Sequence, residues 1–309
     1  MAPRPRARSP RGERIDRLAR AREFLYRNAR LLERLRFSYL FEGGSAESVL
    51  HALSGYENPD GGFGNGLEPD LRGPLSQPVP VWTAVWLLDE VGRLNDRTAE
   101  GIVRFLHDAS TRQGGVPFVF RSASDYPHAP WWEVGRGPTA AALNPTAGIA
   151  AAFYKHRLRS DWLDRAGTWC WERIDDLRTV NPYELRVVLS FLDHCPDRAR
   201  ARTALERLRP QILSPKVVAL NPRATGDVFR PLDYAPEPGL LSRELFSPQA
   251  IEDHLNALEE RQRSDGGWTV SFPIWTPITR FEWRGVQTVE SLKVLRTNGR
   301  LGARSAEAR

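Results

Sequence analysis

The chain alternates between two kinds of helical pattern. Segments with an apolar stripe on a polar helix, such as Ser45–Glu57 and Ser247–Arg261, precede short turns with paired glycines. More uniformly apolar helices follow: Pro78–Val91 (PVPVWTAVWLLDEV), Asn144–His156 (NPTAGIAAAFYKH) and Gly285–Leu295 (GVQTVESLKVL). Ser45 and Ser247 are the expected N-caps, and the double glycines stop each polar helix by allowing positive φ. Three turns are alike: Asn58-Pro-Asp-Gly-Gly-Phe63, Arg112-Gln-Gly-Gly-Val-Pro-Phe118 and Gln262-Arg-Ser-Asp-Gly-Gly-Trp268. From Gly62 to Thr83 is 21 residues, and from Gly267 to Thr288 is again 21. Such register at opposite ends of the chain predicts one supersecondary unit used repeatedly. Degenerate copies are expected between them, at Asp161–Leu177 with Asn181–Asp193 and from Arg198 to Ile212. Five to six such hairpins, with apolar helices inside and amphipathic ones outside, predict an all-α fold of the α/α toroid type over residues 15–300. Residues 1–14 are expected as a disordered basic arm and 301–309 as a disordered tail.

Composition changes this picture little. The chain has 309 residues, 41% hydrophobic and 27% charged, which fits a globular domain. The pI near 9.7 suggests nucleic acid until the charge is located. Residues 1–36 carry +8 and the remainder −2, so the basicity is local and reads as a solvated tail running into a charged helix face. No nucleic-acid partner is expected. No apolar run is long enough to span a membrane, which leaves only peripheral contact, and no signal peptide is evident; a cytoplasmic address is the expectation. Two cysteines, Cys170 and Cys195, exclude a disulfide scaffold, and the six histidines show no metal-ligand spacing. No metal and no cofactor are expected.

The QxxDGGW pattern at Gln262–Trp268, weaker at Glu57–Phe63, resembles the repeat of the terpenoid cyclase and protein prenyltransferase toroids (the prenyltransferase and squalene oxidase repeat). The resemblance spans about residues 40–300. It implies that Asp60, Phe63, Asp265 and Trp268 are staples between helices rather than catalysts. It also implies a central cavity with its chemistry near the amino ends of the inner helices, where helix dipoles favour anions. The acid-bearing Asp-x-Asp-Asp-Thr run of the cyclases is missing: registered on the helix threonines, its middle Asp falls on Val81, Asn144 and Val286. The prenyltransferase zinc ligands are missing too.

Candidate chemistry therefore lies in the connections between the helices. The first holds Glu68, Asp70 and Arg72. The second, from Gly115 to Thr146, spans 31 residues instead of 21 and contains Asp125, His128, Trp131, Trp132 and Glu133, with Asn144 opening its helix. The fourth, Leu220–Ser247, presents Asp227 and Asp233, although capping is the more ordinary role for such aspartates. The last holds Trp275, Arg280, Glu282, Trp283 and Arg284. Glu68, Asp70, Asp227, Asp233 and Glu282 are the candidate acids, and Arg72, Arg280 and Arg284 a candidate anion clamp. Trp82 and Trp86, one turn apart, would face the cavity and stabilise carbocations. A toroid must join its first and last units, so the first and last clusters are expected to meet, as a site or as a salt-bridge network. The leading expectation is a small apolar, isoprenoid-type ligand with acid-initiated cyclisation or isomerisation. The alternatives are a carbohydrate-active barrel and a non-catalytic scaffold.

Overall fold

The three paired-glycine turns adopt one geometry. In the computed structural model, which describes residues 10–135, 137 and 139–301, the backbone N–H of Asn58, Thr111 and Arg263 donates to the carbonyl of Gly62, Gly115 and Gly267, at 2.9 Å each. Gly61, Gly114 and Gly266 return the bond at 2.9 Å and take φ of 82°, 94° and 94°, where a side chain is strained. Each turn is pressed against the next polar helix. A Cβ on Gly61 would lie 2.1 Å from the Gly101 carbonyl oxygen, on Gly114 2.5 Å from the Ala166 nitrogen, and on Gly266 2.1 Å from the Arg20 oxygen. The second glycine of each pair sits on an aromatic side chain four or so residues further along that helix: Phe105, Trp169 or Phe24.

The described residues form twelve α-helices and no strand. They are α1 Pro10–Asn28, α2 Leu31–Phe37, α3 Ala46–Ser54, α4 Pro78–Glu90, α5 Asp96–Ala109, α6 Leu143–Lys155, α7 Asp161–Asp175, α8 Pro182–His194, α9 Arg198–Ile212, the short α10 Pro231–Tyr234, α11 Pro248–Glu260 and α12 Pro277–Thr297. The fold is all-α, as the pattern predicts, and the degenerate middle supplies α7, α8 and α9 where expected. α1 starts within the span expected as a disordered arm; residues 1–9 and 302–309 lie outside the described residues. No helix is long and apolar enough to cross a membrane among the described residues.

Burial separates the helices into two classes. α5 buries one stripe, Ala99, Ile102, Phe105 and Leu106, whereas α4 buries Pro78, Val79, Pro80, Val81, Ala84, Val85, Leu87 and Leu88 around most of its circumference. α6 packs on α4, α7 and α8, and α8 on α9 and α10. α10 packs on α11, and α12 on α11, α1 and α2. The α11 turn therefore docks on α1 as the α3 turn docks on α5.

Two sequence expectations need correction. The last apolar helix begins at Pro277 rather than Gly285, because Thr276 caps it: its hydroxyl accepts from the Thr279 N–H at 3.3 Å, and Pro277 occupies the first helical position. Arg280 to Arg284 are thus helical, not loop. The charged face of residues 1–36 is also not simply solvated. Arg36, 1% exposed, donates to both Glu90 oxygens at 2.7 and 2.9 Å and also pairs with Glu290. Lys293 joins Glu90 at 2.6 Å, and the Arg36 and Lys293 cations each lie 4.6 Å from the Trp86 ring. Buried charge of this kind persists only when paired, and it ties α2, α4 and α12 together.

Candidate functional site

The first and second connections are laced into one layer over the amino ends of α4 and α12. Ala129 N–H donates to the Asp70 carbonyl at 3.0 Å, and Arg72 N–H to that of Pro127 at 3.1 Å, pairing Leu71 with His128 in an isolated bridge. Short 3₁₀ turns at Arg121–Asp125 and Pro130–Trp132 shape the inserted segment. Beneath them Leu71, Val79, Val119, Ala123, Ala129 and Trp132 form an apolar cluster of their own, with Trp82, Phe118, Val134 and Trp275 against it. Trp132 stacks on Phe118, with centroids 4.7 Å apart.

The expected meeting of first and last units occurs here. Arg72 donates to both oxygens of Glu282, at 3.2 and 2.6 Å, and the Trp283 indole N–H donates to Asp70 Oδ2 at 2.8 Å. The other Asp70 oxygen, Oδ1, is buried and without a partner, in a residue only 1% exposed. Burial raises the Asp70 pKa, against the pull of the Trp283 bond and Arg72. Glu68, 7% exposed, is pushed up to about 8 by burial and then by Asp70, with Arg30 and Arg72 acting in the opposite direction. Glu68 is therefore largely a neutral acid at pH 7, and Glu282, paired with Arg72, acts on Asp70 in the same layer.

The remaining candidates are placed as follows. Trp82 borders the apolar cluster and Trp275 packs on it, whereas Trp86 belongs to the Arg36–Lys293 network. His128 bonds through Nδ1 to the Tyr126 carbonyl (2.7 Å) and through Nε2 to Glu133 (2.8 Å), and these acceptors, the carbonyl first, raise its pKa. Asp125 is exposed, as is Trp131 at 45%. Asn144 leaves helical geometry at the start of α6, and its side-chain oxygen is buried without a partner. Arg280 is exposed. Arg284 is committed to the α11 turn: it holds both Asp265 oxygens at 2.9 and 2.8 Å and covers the Phe24 ring. Asp227 accepts from the Tyr183 hydroxyl, and Asp233 caps α10 by accepting from the Arg230 N–H at 2.7 Å. Neither aspartate joins the Glu68–Asp70 layer through any of these bonds.

Asp60 accepts from the Gly62 N–H and the Ser76 hydroxyl, both at 2.8 Å. Gln262 caps Arg17 and Gly266 carbonyls at 2.9 and 2.8 Å, and the Trp268 indole donates to Leu258. Each has a stapling role.

Three charged side chains at these connections, Arg30, Glu33 and Glu184, were not singled out by the sequence. Arg30 braces the first connection through the Gly66 and Leu67 carbonyls, at 2.9 and 3.1 Å, and pairs with the buried Glu33. Glu184, raised by burial, stands at the amino end of α8. The available signal for Glu184 was the Asn-Pro start that α8 shares with α6, Asn181-Pro182 against Asn144-Pro145. Among the described residues no group of three His, Cys, Asp or Glu converges as a metal site.

No family model matches the chain, and no curated protein matches it. Among solved structures, a crystal structure of a protein from Actinoplanes superposes with a TM-score of 0.56 at 15% identity, covering 92% of this chain and 99% of that one. At that identity the likeness is one of fold.

Proposed function

We propose that the chain is an α/α toroid of five to six helical hairpins that carries out acid-initiated isomerisation or cyclisation of a small apolar, isoprenoid-type substrate. The toroid reading is supported by the head-to-tail docking of successive turns, with the α11 turn seated on α1. The chemical reading rests on Asp70. Its Oδ2 is held by Trp283, and Oδ1 is buried without a partner, beside the neutral acid Glu68 and an indole-rich apolar layer. In this reading the Asp70 carboxyl, its pKa raised by burial, delivers a proton to an alkene carbon, and the resulting cation is stabilised by indole faces. Isomerisation is completed when a neighbouring carbon releases a proton to the Asp70 carboxylate, so the acid is restored and no other reactant is consumed. Glu68 buffers the Asp70 proton, and Arg72 and Glu282 hold the layer closed. Arg72 and Arg284 are occupied in ion pairs, so the anion clamp is not part of this reading.

A carbohydrate substrate is the second reading, favoured by the exposed Trp131 at the edge of the layer and by the charged Arg72–Glu282 pair. Native mass spectrometry of protein purified from its own cells, with identification of any copurifying small molecule, separates the two. An isoprenoid that Asp70→Asn protein still binds but no longer converts is the expected result. A bound sugar overturns the substrate class. An empty protein whose melting temperature ignores polyprenyl compounds and hydrocarbons leaves a scaffold.

A further inference from the structure

The segment after α9, residues 220–230, lies along α11 and turns alternate carbonyls toward basic side chains. The Leu220 carbonyl accepts from His254 Nε2 at 3.1 Å, Pro222 from Arg261 at 2.6 Å, and Ala224 from Arg230 at 3.0 Å. A carbonyl can only accept, so Nε2 carries the His254 proton and Nδ1 presents a lone pair when the ring is neutral. His254 is 1% exposed and its Nδ1 has no partner; Arg230 Nε is likewise buried and unpartnered. Arg261, the residue that ends α11, stands seven positions after His254 and is only partly buried. The acids facing this group are Asp233, already engaged by the Arg230 backbone, and the exposed Glu260. Asp227 is turned to Tyr183 instead.

Burial, and after it the two guanidiniums, disfavour a charged imidazole, and His254 is lowered accordingly against the pull of the Leu220 bond; Arg261 is lowered to about 10 by burial and Arg230. The cluster thus contains an unsatisfied donor on Arg230, an unsatisfied acceptor on neutral His254 and a second, half-buried guanidinium on Arg261. An oxyanion alone satisfies the arginines but meets the His254 lone pair with another lone pair. A protonated phosphate both donates and accepts.

We propose that the loop 220–230 and α11 form a binding site for a protonated phosphate group, free or as a monoester, read by Arg230, His254 and Arg261. The site is separate from the Glu68–Asp70 layer and does not depend on the chemistry assigned there.

Calorimetric titration of the full chain at pH 7 and constant ionic strength, with inorganic phosphate, glycerol phosphate and sulfate, tests it. Saturable phosphate binding about tenfold tighter than sulfate binding is expected, the worth of one well-made hydrogen bond. Glycerol phosphate binding as well as phosphate identifies a monoester as the natural source; inorganic phosphate alone identifies the free ion. Arg261→Gln loses at least about tenfold in affinity, while Lys216→Gln, an exposed charge just before the loop in the chain, leaves it unchanged. Absence of saturable phosphate binding overturns the proposal, as does equal affinity for sulfate. The wild-type comparison decides even where Arg261→Gln fails to fold.

Discussion

At the scale of single residues, Glu68 has the clearest consequence. Its pKa is about 8 in the folded chain against an ordinary glutamate value of 4.5. Between those two values the unfolded chain has released this proton while the folded chain still holds it. The folded state therefore binds more protons there, and this group lowers stability steadily as pH rises from about 4.5 to about 8, with no further effect above. Glu68→Gln keeps the shape and the neutral form at every pH. Its melting temperature should match wild type near pH 5 and exceed it near pH 8, by on the order of 1–3 kcal/mol of stability. Parallel curves for the two proteins across that window would show that Glu68 ionises freely. The cause lies in tertiary burial beside Asp70, so the sequence identifies the carboxylates without distinguishing Glu68 from the exposed Asp125.

The helical hairpin is the scale at which the sequence was most legible. Positive φ and close backbone approach both demand glycine, so the turns leave a visible mark at Gly61, Gly114 and Gly266. The threonine register is physical as well. Thr146 and Thr288 each accept the N–H of the residue after their paired glycines, Val116 and Trp268, at 3.0 Å. Thr146 and Thr288 also donate back to Ala142 and Arg284 at 2.7 Å, and Thr83 makes that within-helix bond to Val79 at 3.2 Å without the turn contact. Where α7 joins α8 no glycine pair is present, so the sequence shows only helix periodicity there. The early start of α12 was missed because Thr276 and Thr279 form its cap within a segment dense in aromatic and charged residues. Substitution separates the two demands on glycine. Gly92, with φ of 64°, has open space around its missing Cβ, whereas Gly61 and Gly266 face backbone oxygen at 2.1 Å. Gly92→Ala should cost about 1 kcal/mol, from φ alone. Gly61→Ala and Gly266→Ala should cost at least about 2–3 kcal/mol, since a neighbouring helix must move. Equal losses in chemical denaturation at all three positions would mean that the turns do not lock onto the next helix.

For the whole molecule, the question is what joins the first helices to the last. The α11 turn rests on Arg20 of α1, and Arg72 reaches Glu282, but both contacts lie near the surface or within a connection. The deep joint is Arg36 of α2, fully buried between Glu90 of α4 and Glu290 of α12. Arg36 first, and then Lys293, hold the Glu90 carboxyl well below the ordinary glutamate range despite burial, so the pairing adds stability above the ordinary glutamate pKa that is lost as pH falls through the lowered one. Arg36→Met leaves Glu90 with Lys293 as its remaining cation and should destabilise by about 3–5 kcal/mol at pH 7, because a buried carboxylate loses its bidentate donor. In the Arg36→Met, Glu90→Gln double variant the uncompensated charge is gone, and part of that loss should return, with a coupling of about 1–3 kcal/mol. The single variant should also lose less stability than wild type on acidification below about pH 4.5, since protonating Glu90 then removes less. Additive losses in this cycle would place the joint elsewhere, in the apolar packing of α12 on α1 and α2. A positive coupling instead makes a buried ion pair, invisible to hydropathy because it lies in an arginine-rich helix, the element that closes the chain on itself.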